Sequence, residues 1–209
     1  LKALLKAKPE LRINILSWNF PALYAAEREW NSAAKFSSES TGRLRFCFDS
    51  SLPLGSAQHQ KIVVIDGVLA FVGGLDLTIR RWDTSAHEAD DPLRVDPDGK
   101  PYAPFHDVQC VLDGEAAVSL TELAESRWRA AGCTVEKTAA VEGERWPASL
   151  PAQSRGMTAG IARTEIATAG GAGVNEVARL FAASINAADR LIYIENQFTS
   201  ASDIARLLA

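Results

Sequence analysis

The chain has 209 residues, with 22 basic and 26 acidic side chains and a formal charge of −4. That length buries a proper core as one large domain or two small ones. The mild acidity gives no bulk attraction to nucleic acid and leaves only a local basic patch as a route to it. No apolar run reaches the about 18 residues of a membrane-spanning helix, because Asp66 and Asp76 interrupt the longest ones. The opening Leu-Lys-Ala-Leu-Leu-Lys is too short and too interrupted for a secretory signal.

The first residues read as a helix, and residues 12–18 (RINILSW) as a short strand. Pro21 suits a helix start, where its missing N–H costs nothing, and a helix is expected over 22–35. Gly42 resets the chain before a strand at 44–48 (LRFCF). Residues 61–65 (KIVVI) and 68–72 (VLAFV) flank Asp66-Gly67, the strongest short-range hairpin signal. Residues 83–104 are rich in Asp, Pro and Gly and predict a long loop. A strand at 106–112 and a helix at 115–131, stopped by Gly132, follow. Residues 137–160 read as an irregular linker, 175–188 as a helix and 190–195 (RLIYIE) as a strand. The alternation predicts an α/β fold of layered α/β/α type, its sheet mixed by the hairpin strands.

Cys47, Cys110 and Cys133 are far apart and lack the paired spacing of zinc ligands. They read as buried free thiols of a reducing compartment. The chain opens without Met, has Met157 as its only Met, and closes on a helix just begun. These ends predict a piece of a longer protein.

The sharpest chemical pattern is His59-Gln60-Lys61 followed by Asp66, an H-x-K-x4-D spacing. Residues i and i+2 on a strand share a face, so His59 and Lys61 point into one pocket. Asp66 has the opposite parity and falls at the hairpin turn. It suits orientation or neutralisation, and equally a plain turn-forming role. Gly73-Gly74 closes the return strand, where bare backbone permits close approach to a ligand, and Asp76 follows. Glu195 and Asn196 are candidates to line a pocket or to cap the helix starting near Ser202. His106 beside Asp107 reads as an oriented or structural imidazole, His87 as solvated, and Arg80-Arg81 as a phosphate contact or a wet surface. The tryptophans read as core, apart from Trp146 in the linker, a candidate membrane-facing wedge.

Residues 59–83, HQKIVVIDGVLAFVGGLDLTIRRWD, resemble the first catalytic motif of the phospholipase D superfamily. The likeness is to the branch of eukaryotic phospholipases D and their bacterial relatives. Pro104-Phe105-His106-Asp107 resembles that branch's Pro-Trp-His-Asp element, with Phe in place of Trp. The helix with Arg127-Trp128 and the segment 192–198 (IYIENQF) agree in order. The resemblance spans about residues 12–198. It implies a two-domain fold with a pseudo-twofold axis and one H-x-K motif in each half. Neither His87 nor His106 is followed by Lys two residues on, so residues 1–209 correspond to the half with the first motif.

The resemblance further implies a phosphodiester hydrolase or transphosphatidylase acting on phospholipid head groups through a phosphohistidine. His59 would be the nucleophile, Lys61 would hold the phosphoryl oxygens, and Asp66 would complete the catalytic set. Gly73, Gly74, Asp76, Glu195 and Asn196 would contact substrate. No cofactor or metal is expected. The expected partners are a phospholipid or other phosphodiester, and the second catalytic half in cis or in trans. A membrane surface is an open partner, and nucleic acid is not expected. The expected setting is a bacterial cytoplasm. Two alternatives stand beside this reading: a single-motif homodimeric nuclease of the same superfamily, and a non-catalytic scaffold with the same fold. The acidic charge and Gly74-Leu75-Asp76, where those nucleases carry Gly-Ser-x-Asn, speak against the first. The intact His59, Lys61 and Asp66 set speaks against the second.

Overall fold

A computed structural model describes all residues except 20–41, 54, 135–142, 144, 169–170, 197 and 199. The helix expected over 22–35 and Gln197 lie outside the described residues. Contacts divide the chain into two units, one of residues 1–50 and 57–155, the other of 51–56 and 156–209.

In the first unit, helix α1 (Lys2–Ala7) precedes strand β1 (Ile13–Trp18), which pairs in parallel with β2 (Leu44–Asp49). Arg43 Nη1 caps α1 by donating to the carbonyls of Leu5 and Lys8, each at 3.0 Å. A second sheet is built from β3 (Lys61–Ile65), β4 (Leu69–Gly73) and β5 (Gln109–Asp113), antiparallel in that order. Parallel and antiparallel pairing are both present, but among the described residues they occupy separate sheets rather than one mixed sheet.

The β3–β4 turn is the one the Asp-Gly pair demands. Asp66 and Gly67 both take positive φ, 54° and 73°, and the Val68 N–H closes the turn on Ile65 O at 3.1 Å; Ile65 pairs with Leu69, so the connection is three residues long. Helix α2 (Gly114–Ala130) covers one face of this sheet. Its Ala117 and Leu120 pack with Ala70, and Ile62, Val64, Val72 and Leu112 complete the cluster. Strand period two and helix spacing three thus meet in one core. The helix ends as Gly132 predicts. Gly132 takes φ 80°, its N–H donates to Arg129 O and that of Cys133 to Trp128 O, a Schellman stop.

The long loop after β4 is ordered around one guanidinium. Buried Arg94 donates to the carbonyls of Glu88, Ala89 and Tyr102 and to the Asp83 carboxylate at 3.0 Å. Trp82, read as core, is half exposed. Trp146 donates its indole N–H to Leu150 O at 2.6 Å. The described residues of the expected linker form neither helix nor strand.

In the second unit, β6 (Thr164–Glu165) pairs with β7 (Val174–Asn175), followed by α3 (Glu176–Asn186) and α4 (Ser202–Leu208). Arg163 grips Glu176 through two nitrogens, each at 3.1 Å, and this lowers the Glu176 pKa. The strand expected at 190–195 is not there. The backbone is irregular, and Leu191 and Tyr193 are 83% and 79% exposed. An apolar alternation becomes a strand only where a ladder partner meets it.

The cysteine expectation is also overturned. Cys47 of β2 and Cys133 just beyond α2 form a disulfide, their Cα atoms 6.3 Å apart. Cys110 is a free thiol and exposed. The strand and the helix end converge across 86 residues of sequence, a proximity that spacing alone does not reveal. Disulfides persist in oxidising surroundings, so the cysteines give no support to a reducing compartment.

Candidate active site

The site residues collect where β3 begins. His59 is exposed and lies two residues before the first residue of the strand. Lys61 opens it, and only 10% of its side chain is exposed. Its ammonium donates to the His59 carbonyl at 3.0 Å and pairs with Asp76 Oδ1 at 3.1 Å. The Lys61 stem is thus largely covered while its charge is held beside the His59 backbone. Asp76 is 47% exposed, so solvent screens the pair and its net worth is modest. An anionic group that reaches Lys61 therefore competes with a weakly held carboxylate.

Register explains the glycines. Lys61, Gly73 and Gln109 form one row across β3, β4 and β5. A Cβ on Gly73 would collide with the Val108 carbonyl and stand 2.8 Å from Gln109 Cα. A Cβ on Gly74 would collide with the Asp107 carboxylate, while the Gly74 N–H donates to Val108 O at 3.1 Å. The close approach that bare backbone allows is made by β5 and Asp107 themselves.

Asp66 lies elsewhere. Five residues of β3 separate it from the Lys61 end, roughly 16 Å at about 3.3 Å per residue. There it pairs with Arg145 Nε at 3.0 Å. Glu195 and Asn196 belong to the second unit and are exposed. Glu195 accepts from the Tyr193 hydroxyl at 3.1 Å, a contact that raises the tyrosine pKa. The structure therefore brings together His59, Lys61, Gly73, Gly74 and Asp76.

Residues after β4 form a second charged assembly. Asp83 accepts from the backbone N–H groups of Phe105 and Thr84, from Arg94 and from His87 Nδ1. Burial alone would raise its pKa, but these donors outweigh it and hold the carboxyl well below its ordinary range. His87, expected to be solvated, lies 3.2 Å from Asp83 and 3.4 Å from His106 Nδ1. Arg80 is committed to Asp96 at 2.7 Å, and Arg81 lies over the Phe105 ring.

Comparison with known proteins bears on the same region. Residues 49–205 match the model of the family described as Phospholipase D. The chain belongs to that family. The matched stretch runs from the last residue of β2 through the H-x-K site and into α4. Phospholipase D C of Dictyostelium discoideum is 35% identical over 101 residues, 37% of this chain and 6% of the relative. Phospholipase D delta of Arabidopsis thaliana is 38% identical over 93 residues, 35% of this chain and 11% of the relative. Phospholipase D alpha 1 of Nicotiana tabacum is 34% identical over 110 residues, 39% of this chain and 14% of the relative. The aligned segments thus cover 6–14% of these relatives' own length. All three are eukaryotic, so they lend no support to the bacterial setting expected from sequence. No described helix is long and apolar enough to cross a membrane.

Sequence reading missed two groups around the site. Asp83 lay inside the quoted motif stretch, yet its partners Arg94 and Phe105 are 11 and 22 residues away. Buried Asp49 and half-buried Arg127 form an ion pair across 78 residues. Only the Asp at the end of the apolar β2 hinted at the second.

Proposed function

We propose that this chain is the first-motif half of a phospholipase D-type enzyme, a layered α/β/α half-fold that exchanges one phosphodiester alcohol for another. The observation that carries the reading is the Lys61 ammonium. It sits at the end of a largely covered side chain, hydrogen-bonded to the His59 carbonyl and held against only a half-exposed carboxylate. A compact cation so placed suits the non-bridging oxygens of a phosphodiester, whose charge grows in the transition state.

In the proposed mechanism a neutral His59 ring nitrogen attacks phosphorus. The bond to the leaving alcohol oxygen breaks, and that oxygen takes a proton from an acid on the opposite side. The product is a phosphohistidine. Water or an alcohol, deprotonated by the same opposite group, then attacks phosphorus and frees His59. Imidazole titrates in the range this exchange needs. The sequence holds no second H-x-K, so the opposite imidazole comes from a second half. The exposed apolar segment with Leu191, Ile192, Tyr193 and Phe198 is in keeping with a chain that normally packs against more protein. The relatives' name points to phospholipid as the substrate class. Asp66, paired with Arg145 at the far turn, supports the hairpin and does not touch substrate.

Release of a chromogenic alcohol from a phosphodiester tests this. The chain alone should show no sustained turnover, and restoring a second half should produce it. In that assembly His59→Ala should lower kcat by roughly three orders of magnitude or more with the fold intact. Near-normal turnover of His59→Ala would overturn the reading.

A further inference from the structure

His59 is exposed, and its placement comes from the backbone on either side of it. On one side Lys61 Nζ holds the His59 carbonyl at 3.0 Å. On the other stands Gln58, half-buried. In one orientation the Gln58 amide N–H donates to Asp49 Oδ2 at 3.5 Å; in the other its oxygen accepts from Arg127 Nη1 at 3.2 Å and from Nη2, so either way the amide is bonded to the pair. That guanidinium is paired through Nη2 with Asp49, the last residue of β2, which is buried. The elements that carry this pair are locked together two residues before Asp49 and six after Arg127, by the Cys47–Cys133 disulfide. Arg45 donates to Thr134 O at 3.1 Å, and so does the Trp128 indole.

A buried ion pair is weak evidence of stabilisation for its own sake, because desolvation offsets its attraction. One that is also bonded to the residue before a nucleophile has a second use. A fork-shaped guanidinium fixes direction as well as distance. We propose that Asp49, Arg127 and Gln58 are positioning residues for His59, setting where its ring stands by anchoring the peptide that precedes it. The proposal rests on the phosphodiesterase reading for its kinetic consequence, but not for its structural one.

Two substitutions separate positioning from folding. Gln58→Met keeps the length and removes the acceptor. Gln58→Glu keeps an acceptor for Arg127. The chain has three histidines, so the His59 ring signals are assigned by their loss in His59→Ala. The parent and Gln58→Glu should each give one sharp set of His59 ring resonances. Gln58→Met should give a broadened or doubled set while its thermal midpoint stays close to the parent's. In the assembly with the second half, Gln58→Met should lower kcat about tenfold and leave KM nearly unchanged, since small misplacements of a reacting group cost rate more than binding. Gln58→Glu should recover most of that loss. Identical His59 resonances in all three proteins, with kcat unchanged, would overturn the proposal. Absence of turnover in the parent assembly would strike the functional reading instead, and the ring resonances would still decide this one.

Discussion

At Gly73 and Gly74 a single methyl group would meet two different kinds of neighbour. A Cβ on Gly73 meets backbone, the Val108 carbonyl and Gln109 Cα, which cannot move without shifting β5. A Cβ on Gly74 meets the Asp107 side chain, which can rotate. Gly73→Ala should therefore cost about 2–3 kcal/mol and Gly74→Ala about 1 kcal/mol or less. Denaturant midpoints at constant slope check the ranking; equal costs would show that β5 yields as easily as a side chain. The H-x-K pair was legible as a spacing of residue types; that His59 lies outside β3, where strand parity does not govern it, was not. The reason for the glycines was not, since β5 enters the row from 36 residues further along.

Among the elements, the hairpin and α2 were readable because their signals are contiguous: Asp66-Gly67 for the turn, Gly132 for the helix stop. The strand expected at 190–195 failed because pairing is non-local, and the disulfide escaped because two cysteines do not announce their separation in space. That bond ties β2 to the end of α2 across 86 residues. Replacing both cysteines by Ala should lower stability by about 3–5 kcal/mol, in line with a loop of this length. Unfolding curves of the two proteins measure it, and coincident curves would contradict it.

The loop closed by Asp83 gives a test of a different sort. Its folded-state pKa lies below the unfolded value. Its stabilisation is therefore complete above the ordinary carboxylate range and is lost only as pH falls through the depressed folded value. Amide protection across residues 83–106 should persist at about pH 4, where ordinary carboxylates are half protonated. In Asp83→Asn that protection should be weak at neutral pH as well. Protection that disappears near the ordinary carboxylate pKa in the parent would contradict the network.

On the scale of the whole molecule, one imidazole and one ammonium stand at the head of a well-packed sheet, and the chemistry ascribed to them needs a partner imidazole opposite. The family was legible from four short segments in order, because motif residues carry chemistry irrespective of how the rest packs. The support proposed for His59 was not legible, since Arg127 joins Asp49 from 78 residues further along the chain. The central claim is that His59 makes the bond to phosphorus. Rapid acid-free quenching of the two-half assembly during turnover of a phosphorus-labelled diester, followed by peptide mapping, tests it directly. The account predicts label on the peptide bearing His59, as a base-stable and acid-labile adduct that exchanges with the alcohol acceptor. Turnover with no label on that peptide, or label on another side chain, would contradict it.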